Sequence, residues 1–206
     1  GMTEPREPRA VRRILVYRPG TIGDTMVAVP AIQALRRAYP TASLAFMGVR
    51  AQQGGFWADQ VLREFGWFDD FITYDRSELR KAGTVAALLR RVRRLGADMV
   101  VHMSSEQNSR LRILRDRAFF RLAGIPRFVC RASACVTWYG RLRTDDRVYP
   151  SEVDRLLALA VEAGADADRP PTFDLPIGDV ERARVDALLR APGFEAGRIL
   201  IGLCPG

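Results

Sequence analysis

The stretch Ile14-Leu15-Val16-Tyr17-Arg18-Pro19-Gly20-Thr21-Ile22-Gly23-Asp24-Thr25 decides how this chain is read. Its opening residues are apolar without alternation, the pattern of a strand covered on both faces. Pro19 and Gly20 break the run, and a helical pattern then continues to Ala38. A strand, a glycine-bearing loop and a helix N-terminus in this order form the crevice where open α/β sheets bind ligands. Gly20 and Gly23 allow close backbone approach, and free amides at a helix start favour an anionic or oxygen-rich group. Asp24 stands at the helix entrance, where it reads either as the N-cap or as a carboxylate presented to the crevice. In both cases the helix N-terminus keeps it ionised and lowers its basicity.

The same alternation continues outward. Apolar runs recur at Leu44–Met47, Phe71–Tyr74, Met99–Met103, Arg127–Cys130 and Ile199–Leu203, with helix-period stretches between most of them. This pattern predicts an α/β fold, a Rossmann-like doubly wound parallel sheet. Thr84–Leu95 places Val85, Leu88, Leu89, Val92 and Leu95 on one stripe and Arg90, Arg91, Arg93 and Arg94 opposite, with Gly96 as the stop. Ser151-Glu152-Val153-Asp154 reads as a capping box opening a helix whose Val153, Leu156, Leu157 and Ala160 face inward. Asn108–Leu122 gathers Leu111, Leu114, Ala118 and Leu122 on one face.

Residues 1–12 are expected to be a disordered tail, with Gly1 before Met2 an expression scar. Residues 13–178 form the first domain, ending in the loop that contains Pro170 and Pro171. Residues 179–206 begin a second: a helix near Asp179–Arg190, then the apolar run and the Pro205-Gly206 loop with which a new nucleotide-binding unit starts. The chain therefore reads as a fragment cut just inside a second domain.

Composition narrows the chemistry. The 206 residues are 48% hydrophobic and 27% charged, enough to bury a core. The longest apolar stretch, Met26–Ile32, is far short of the roughly 20 residues a membrane-spanning helix needs. A net charge of +8, carried almost wholly by arginine, permits an anionic partner without selecting one. His102 is the single histidine, which excludes multi-histidine metal sites. Three cysteines, Cys130, Cys135 and Cys204, lack C-x-x-C spacing and read as reduced thiols of a cytosolic protein. A dinucleotide fingerprint would need G-x-G-x-x-G, and the loop has only Gly20-x-x-Gly23. The residues Phe46–Arg50 also offer no carboxylate for a ribose, although Arg50 could meet a 2′-phosphate. An NADP-binding oxidoreductase is thus the enzyme alternative, and a basic binding module the non-enzyme one.

The stretch from Arg13 to Met47 resembles the start of the family 9 glycosyltransferases, which include the lipopolysaccharide heptosyltransferases. The resemblance lies in the strand, the R-x-G-x-x-G-D pattern at Arg18–Asp24, the helix interrupted by Pro30, and its closure at Tyr39-Pro40. Ala97–His102, Arg110–Ile125 and Ile199–Gly206 are similar to later family segments, so the likeness covers most of residues 12–206. It implies the N-terminal half of a two-domain GT-B fold and an inverting, metal-independent transfer from a nucleotide-sugar donor such as ADP-heptose. The resemblance also implies a lipopolysaccharide-type or other glycan or glycolipid acceptor, and no cofactor is expected. Asp24 matches the family's proposed general base. Arg18, Gly20, Thr21, Ile22 and Gly23 match the substrate loop, and Pro205 and Gly206 the start of the donor-phosphate loop. His102 stands where the family often has an aspartate, and it reads as a packing or hydrogen-bonding residue at a strand end.

Three lesser signals remain. Asp166-Ala167-Asp168 mimics a D-x-D metal motif but lies in a loop, so it reads as solvated. The arginine face of Thr84–Leu95 also reads as solvated, with contact to an anionic membrane surface as its functional alternative and a peripheral cytoplasmic location in view. It contains no interleaved aromatic, so nucleic acid is not an expected partner. Gly54–Trp57 and Phe65–Phe68 read as core packing, with acceptor lining as the second reading.

Overall fold

A computed structural model describes residues 10–50, 58–104, 110–130, 151–166, 172–173 and 175–190. They form two compact units divided between Phe173 and Asp174. In the first, the apolar runs become β1 (Arg13–Arg18), β2 (Ser43–Val49), β3 (Asp70–Tyr74), β4 (Met99–His102) and β5 (Arg127–Val129). All pair in parallel in the order β3-β2-β1-β4-β5. The doubly wound parallel sheet expected from the alternation is therefore present. β1 lies between β2 and β4, with Arg18 beside Gly48 and Tyr17 beside His102, so the winding reverses at its carboxyl end.

Helices cover both faces. α1 (Ile22–Val27), α2 (Val29–Ala38), α3 (Ala58–Glu64) and α6 (Glu152–Ala163) enclose one core with Ile14, Val16, Phe46 and Val101. On the other face, α4 (Ala82–Leu95) and α5 (Arg110–Leu122) pack over Leu15, Tyr17, Met47 and Val100. Both sets of strand residues are buried, which explains why the runs are apolar throughout rather than alternating. The break between α1 and α2 falls at Ala28, and Pro30 occupies the first turn of α2, where its missing N–H costs nothing. Tyr39 at the end of α2 donates its hydroxyl to the Ala163 carbonyl at 2.5 Å, which joins that helix to the end of α6. Gly164, in the left-handed region at φ 113°, leaves the space this hydroxyl fills.

Several expectations hold in detail. α4 buries Leu88, Val92 and Leu95 and ends at Gly96 in the left-handed conformation. Ser151 caps α6 by accepting from the Asp154 amide at 3.2 Å, and the return bond runs between the two side chains. Phe68 is buried, and Phe65 and Trp67 pack against the same core.

Two expectations need correction. On α5 the leucine face points outward, with Leu111, Leu114 and Leu122 78%, 59% and 64% exposed. The inward face is Ile113, Asp116 and Phe120, because Phe120 meets Tyr17 edge-on at 5.2 Å and Asp116 reaches His102. Counting apolar residues favoured leucines over a face made of one aromatic and one buried, partnered carboxylate. The arginine face of α4 is not wholly solvated either. Arg91 donates to the Phe71 carbonyl and Arg93 to the Leu122 carbonyl, each at 2.7 Å.

In the second unit, α7 (Asp179–Leu189) follows Gly178 and buries none of its residues. Residues 1–9, Gly54–Trp57, the run Ile199–Leu203, Cys135, Cys204, Asp168, Pro205 and Gly206 lie outside the described residues.

Replacing Ile113 by alanine should lower stability to denaturant by about 2–5 kcal/mol, the range for a buried aliphatic truncation. Leu114→Ala on the neighbouring exposed position should change it by no more than about 0.5 kcal/mol. The reverse order in urea titrations would mean that α5 packs by its leucine face.

Candidate active site at the carboxyl end of β1

The loop after β1 is built around Thr21, not Asp24, as the N-cap. Thr21 is extended (φ −74°, ψ 178°), and its Oγ1 accepts from the Asp24 amide at 3.4 Å. Asp24, at the third helical position, accepts through Oδ2 from the Thr21 amide at 2.7 Å and the Thr21 hydroxyl at 2.9 Å. The two residues thus close a reciprocal capping box, which aims the carboxylate back along the loop. The N-cap reading of Asp24 is corrected accordingly: threonine has the side chain that satisfies the free amide, and the acid returns the bond.

Gly20 is required by this arrangement. A Cβ there would lie 2.5 Å from Asp24 Cβ and 2.8 Å from its Oδ2. The room that a dinucleotide pyrophosphate would need at that glycine is therefore filled by the aspartate itself. Gly23 is different: it is exposed, and a Cβ would meet only Thr21 Oγ1, at 3.8 Å. Ile22 between them is half-buried. The open side of the loop is thus the Ile22–Gly23 side.

Arg18, at the end of β1, is 1% exposed. Its Nε and one terminal nitrogen donate to the Asp24 carbonyl at 3.1 and 2.9 Å. The other terminal nitrogen donates to the Met103 carbonyl at 2.6 Å and approaches Glu152 at 3.3 Å. Expected as a substrate-binding residue, Arg18 instead spends its donors inside the protein, and it acts on Asp24 from below. Glu152 also holds Arg155 through two bonds of 2.6 Å, and Arg155 donates to the Ser104 carbonyl at 2.7 Å. The segments after β1 and β4 and the start of α6 are thereby joined under the crevice. Glu152 and Arg155 escape sequence reasoning because a capping box reports where a helix starts, not what its first turn faces.

The electrostatics follow. Burial pulls the Arg18 guanidinium below its ordinary value, opposed by Glu152 and Asp24. Burial alone would raise the Asp24 carboxyl. The Thr21 amide and hydroxyl, with the charges of Arg18 and Arg76, outweigh it and hold the carboxyl below the usual carboxylate range. Its side chain is 45% exposed, so it meets the crevice as an ionised, accessible acceptor.

His102 is fully buried at the end of β4, with Nε2 3.1 Å from Asp116 Oδ2 and Nδ1 3.0 Å from Ser104 Oγ. The expected hydrogen-bonding role is what the geometry provides. Asp116, which sequence reasoning did not single out, is also bound by Arg115 at 3.0 and 2.7 Å. Burial would raise its carboxyl, and the bonds from His102 and Arg115 bring it below the ordinary value instead. Asp98, in the segment Ala97–His102, accepts from the amides of Arg12 and Arg13 at the far end of β1, so its part is structural. Among the described residues, no group of three His, Cys, Asp or Glu side chains could hold a metal ion. No helix among them is long and apolar enough to cross a membrane.

No family model matches this chain, and no curated protein matches its sequence. Solved structures share its fold. A glycosyl transferase family 9 protein from Veillonella parvula superimposes with a TM-score of 0.58 at 15% identity, over 91% of this chain and 51% of that one. The E. coli ADP-heptose lipopolysaccharide heptosyltransferase II gives 0.55 at 23% identity, over 94% and 54%. At these identities the likeness is one of fold. The chain spans about half the length of each of these structures.

Thr21→Val removes the capping hydroxyl and leaves the Thr21-position amide in place. Stability at neutral pH should fall by about 1 kcal/mol, the usual worth of such a cap. The Asp24 carboxyl should titrate higher, read by carboxyl-detected NMR. Because the folded carboxyl lies below its unfolded value, the stabilisation exists above the unfolded pKa and disappears as pH falls through the folded one. The difference between wild type and variant should therefore shrink on acidification. An unchanged Asp24 titration would contradict the capping-box account.

Proposed function

We propose that this chain is the acceptor-side, N-terminal half of a GT-B glycosyltransferase with Asp24 as its general base. The observation that carries the reading is the position of Asp24: an ionised, accessible carboxylate at the point where the sheet order reverses, pinned by Thr21 and backed by Arg18. The fold shared with two glycosyltransferases supports the reaction class.

In the proposed reaction an acceptor hydroxyl attacks the anomeric carbon of a nucleotide sugar from the face opposite the diphosphate. The new C–O bond forms as the bond to the diphosphate oxygen breaks, and the hydroxyl proton passes to Asp24. Configuration at that carbon inverts. A carboxylate of low pKa suits this role, because the hydroxyl becomes strongly acidic only as the new bond forms. A carboxylate already ionised is ready to accept over the whole neutral range. Thr21, Ile22 and Gly23 line the acceptor sugar, with Gly23 leaving the loop open on that side. Stabilisation of the departing diphosphate belongs to the donor half, without a metal, and Pro205-Gly206 is the start of its phosphate loop. The donor is a nucleotide sugar such as ADP-heptose, the acceptor a glycan or glycolipid. The enzyme works in the cytoplasm, at the membrane's inner face when its acceptor is lipid-linked.

In the full-length protein, Asp24→Asn should lower kcat by about 10²–10⁴-fold, the usual contribution of a positioned base. The KM for the nucleotide sugar should stay within a few-fold of wild type. Near wild-type turnover in this variant would remove Asp24 from the role.

A further inference from the structure

A polar group on the far face of the sheet reaches the segment that holds Arg18. Along β4 the side chains alternate: Val101 and Met103 lie in the core under α1, α2 and α6, and Val100 lies in the core under α4 and α5. His102 shares the second face with Val100. Its ring lies 5.1 Å from that of Tyr17 and 5.2 Å from that of Phe128, both packed in that core. His102 is buried, and so is Ser104. Nε2 stands 3.1 Å from Asp116 Oδ2, and Nδ1 stands 3.0 Å from Ser104 Oγ. The bonds from Arg115 and His102 keep Asp116 ionised, so it only accepts, and Nε2 donates to it. In the neutral ring Nδ1 is then an acceptor, and the Ser104 hydroxyl donates to it.

The bond from Ser104 to His102 spans the residues whose carbonyls the buried arginines use. β4 ends at His102, and its ladder with β1 ends there too, with only the Met103 amide still donating to the Tyr17 carbonyl at 2.8 Å. In a continuing strand, successive carbonyls point to opposite neighbours. Here the Met103 carbonyl accepts from Arg18 at 2.6 Å and the Ser104 carbonyl accepts from Arg155 at 2.7 Å. Both guanidiniums also meet Glu152, so the two carbonyls converge on one cluster and the chain turns out of the strand between them. The Ser104 hydroxyl, tied back to His102, is a side-chain link across that turn. A buried polar network whose members are paired in this way fixes one geometry.

We propose that His102 is a positioning residue: through Ser104 it sets the Met103 and Ser104 carbonyls, and through them the place of Arg18 and of Asp24. Arg18 completes the path, because it holds the Asp24 carbonyl through two bonds. That this placement matters to sugar transfer rests on the general-base reading; the placement itself does not.

The test follows the Arg18 guanidinium and the Asp24 carboxyl by side-chain NMR in the full-length protein, together with the transfer rate. Ser104→Ala removes the hydroxyl, and His102→Phe removes the ring nitrogens while keeping a ring against Tyr17 and Phe128. In each variant the Arg18 N–H protons should exchange with water about tenfold faster or more, and the Asp24 carboxyl should titrate higher as the nearby guanidinium loosens. The kcat should fall about tenfold, the worth of one hydrogen bond, with the KM for the nucleotide sugar within a few-fold of wild type. The double variant should be no worse than His102→Phe alone, because both changes break the same bond. Tyr39→Phe, which loses a hydrogen bond at the other end of α6, should leave the Arg18 and Asp24 signals as they are. Unchanged Arg18 exchange in Ser104→Ala, additive losses in the double variant, or equal changes in Tyr39→Phe would overturn the proposal. If His102→Phe does not fold, Ser104→Ala against Tyr39→Phe decides alone. Altered Arg18 and Asp24 signals in a protein without Asp24-dependent transfer would uphold the positioning and remove the general-base reading.

Discussion

A buried arginine, here 1% exposed, is costly unless its donors are filled, and the turn into α1, the segment after β4 and the start of α6 are arranged around filling those of Arg18. Two carbonyls, Asp24 and Met103, take most of them, and Glu152 supplies the counter-charge. These partners come from the turn into α1, the segment after β4 and the start of α6. Satisfying one buried cation therefore fixes three segments widely separated in the chain. Glu152 is shared with Arg155, so two buried arginines lean on one carboxylate at its side, and the Asp24 carboxylate 3.9 Å from Arg18 offsets part of the remainder. Hydrophobic residues of similar volume would serve stability as well or better. What they could not do is hold a carbonyl and a carboxylate of the same residue in a defined place.

That constraint accounts for the character of Asp24. Its carbonyl is tied to Arg18 from beneath, and its carboxylate is tied to Thr21 from the loop, so its backbone and side chain are both oriented before any substrate arrives. Gly20 completes the arrangement by being absent where the carboxylate sits. The result is an ionised carboxylate of fixed position; in the proposed role as base, orientation rather than basicity makes the larger contribution.

The fold was legible in the sequence because parallel strands buried on both faces must be apolar throughout, and each of the five described strands announces itself that way. The loop was legible because Pro19 and Gly20 break the strand run just before a helical pattern, and Gly20 leaves the room that the Asp24 side chain takes. What was hidden is long-range and polar. Thr21 and Asp24 are both plausible caps from sequence, and only the geometry distinguishes donor from return partner. Glu152 is 134 positions from Arg18, with no periodicity to join them. The α5 face failed because the side chains that matter there are a partnered aspartate and a phenylalanine, which a count of leucines ignores.

Asp24 is proposed as a pre-ionised base held in place by Thr21 and Arg18. The pH dependence of kcat/KM for sugar transfer by the full-length protein tests it most directly, since it reports the ionisation of the free enzyme's base. The rate should stay level on the acid side down to the ordinary carboxylate range and fall only below it. An acid limb near neutral pH would contradict it, because a different group would then be taking the proton.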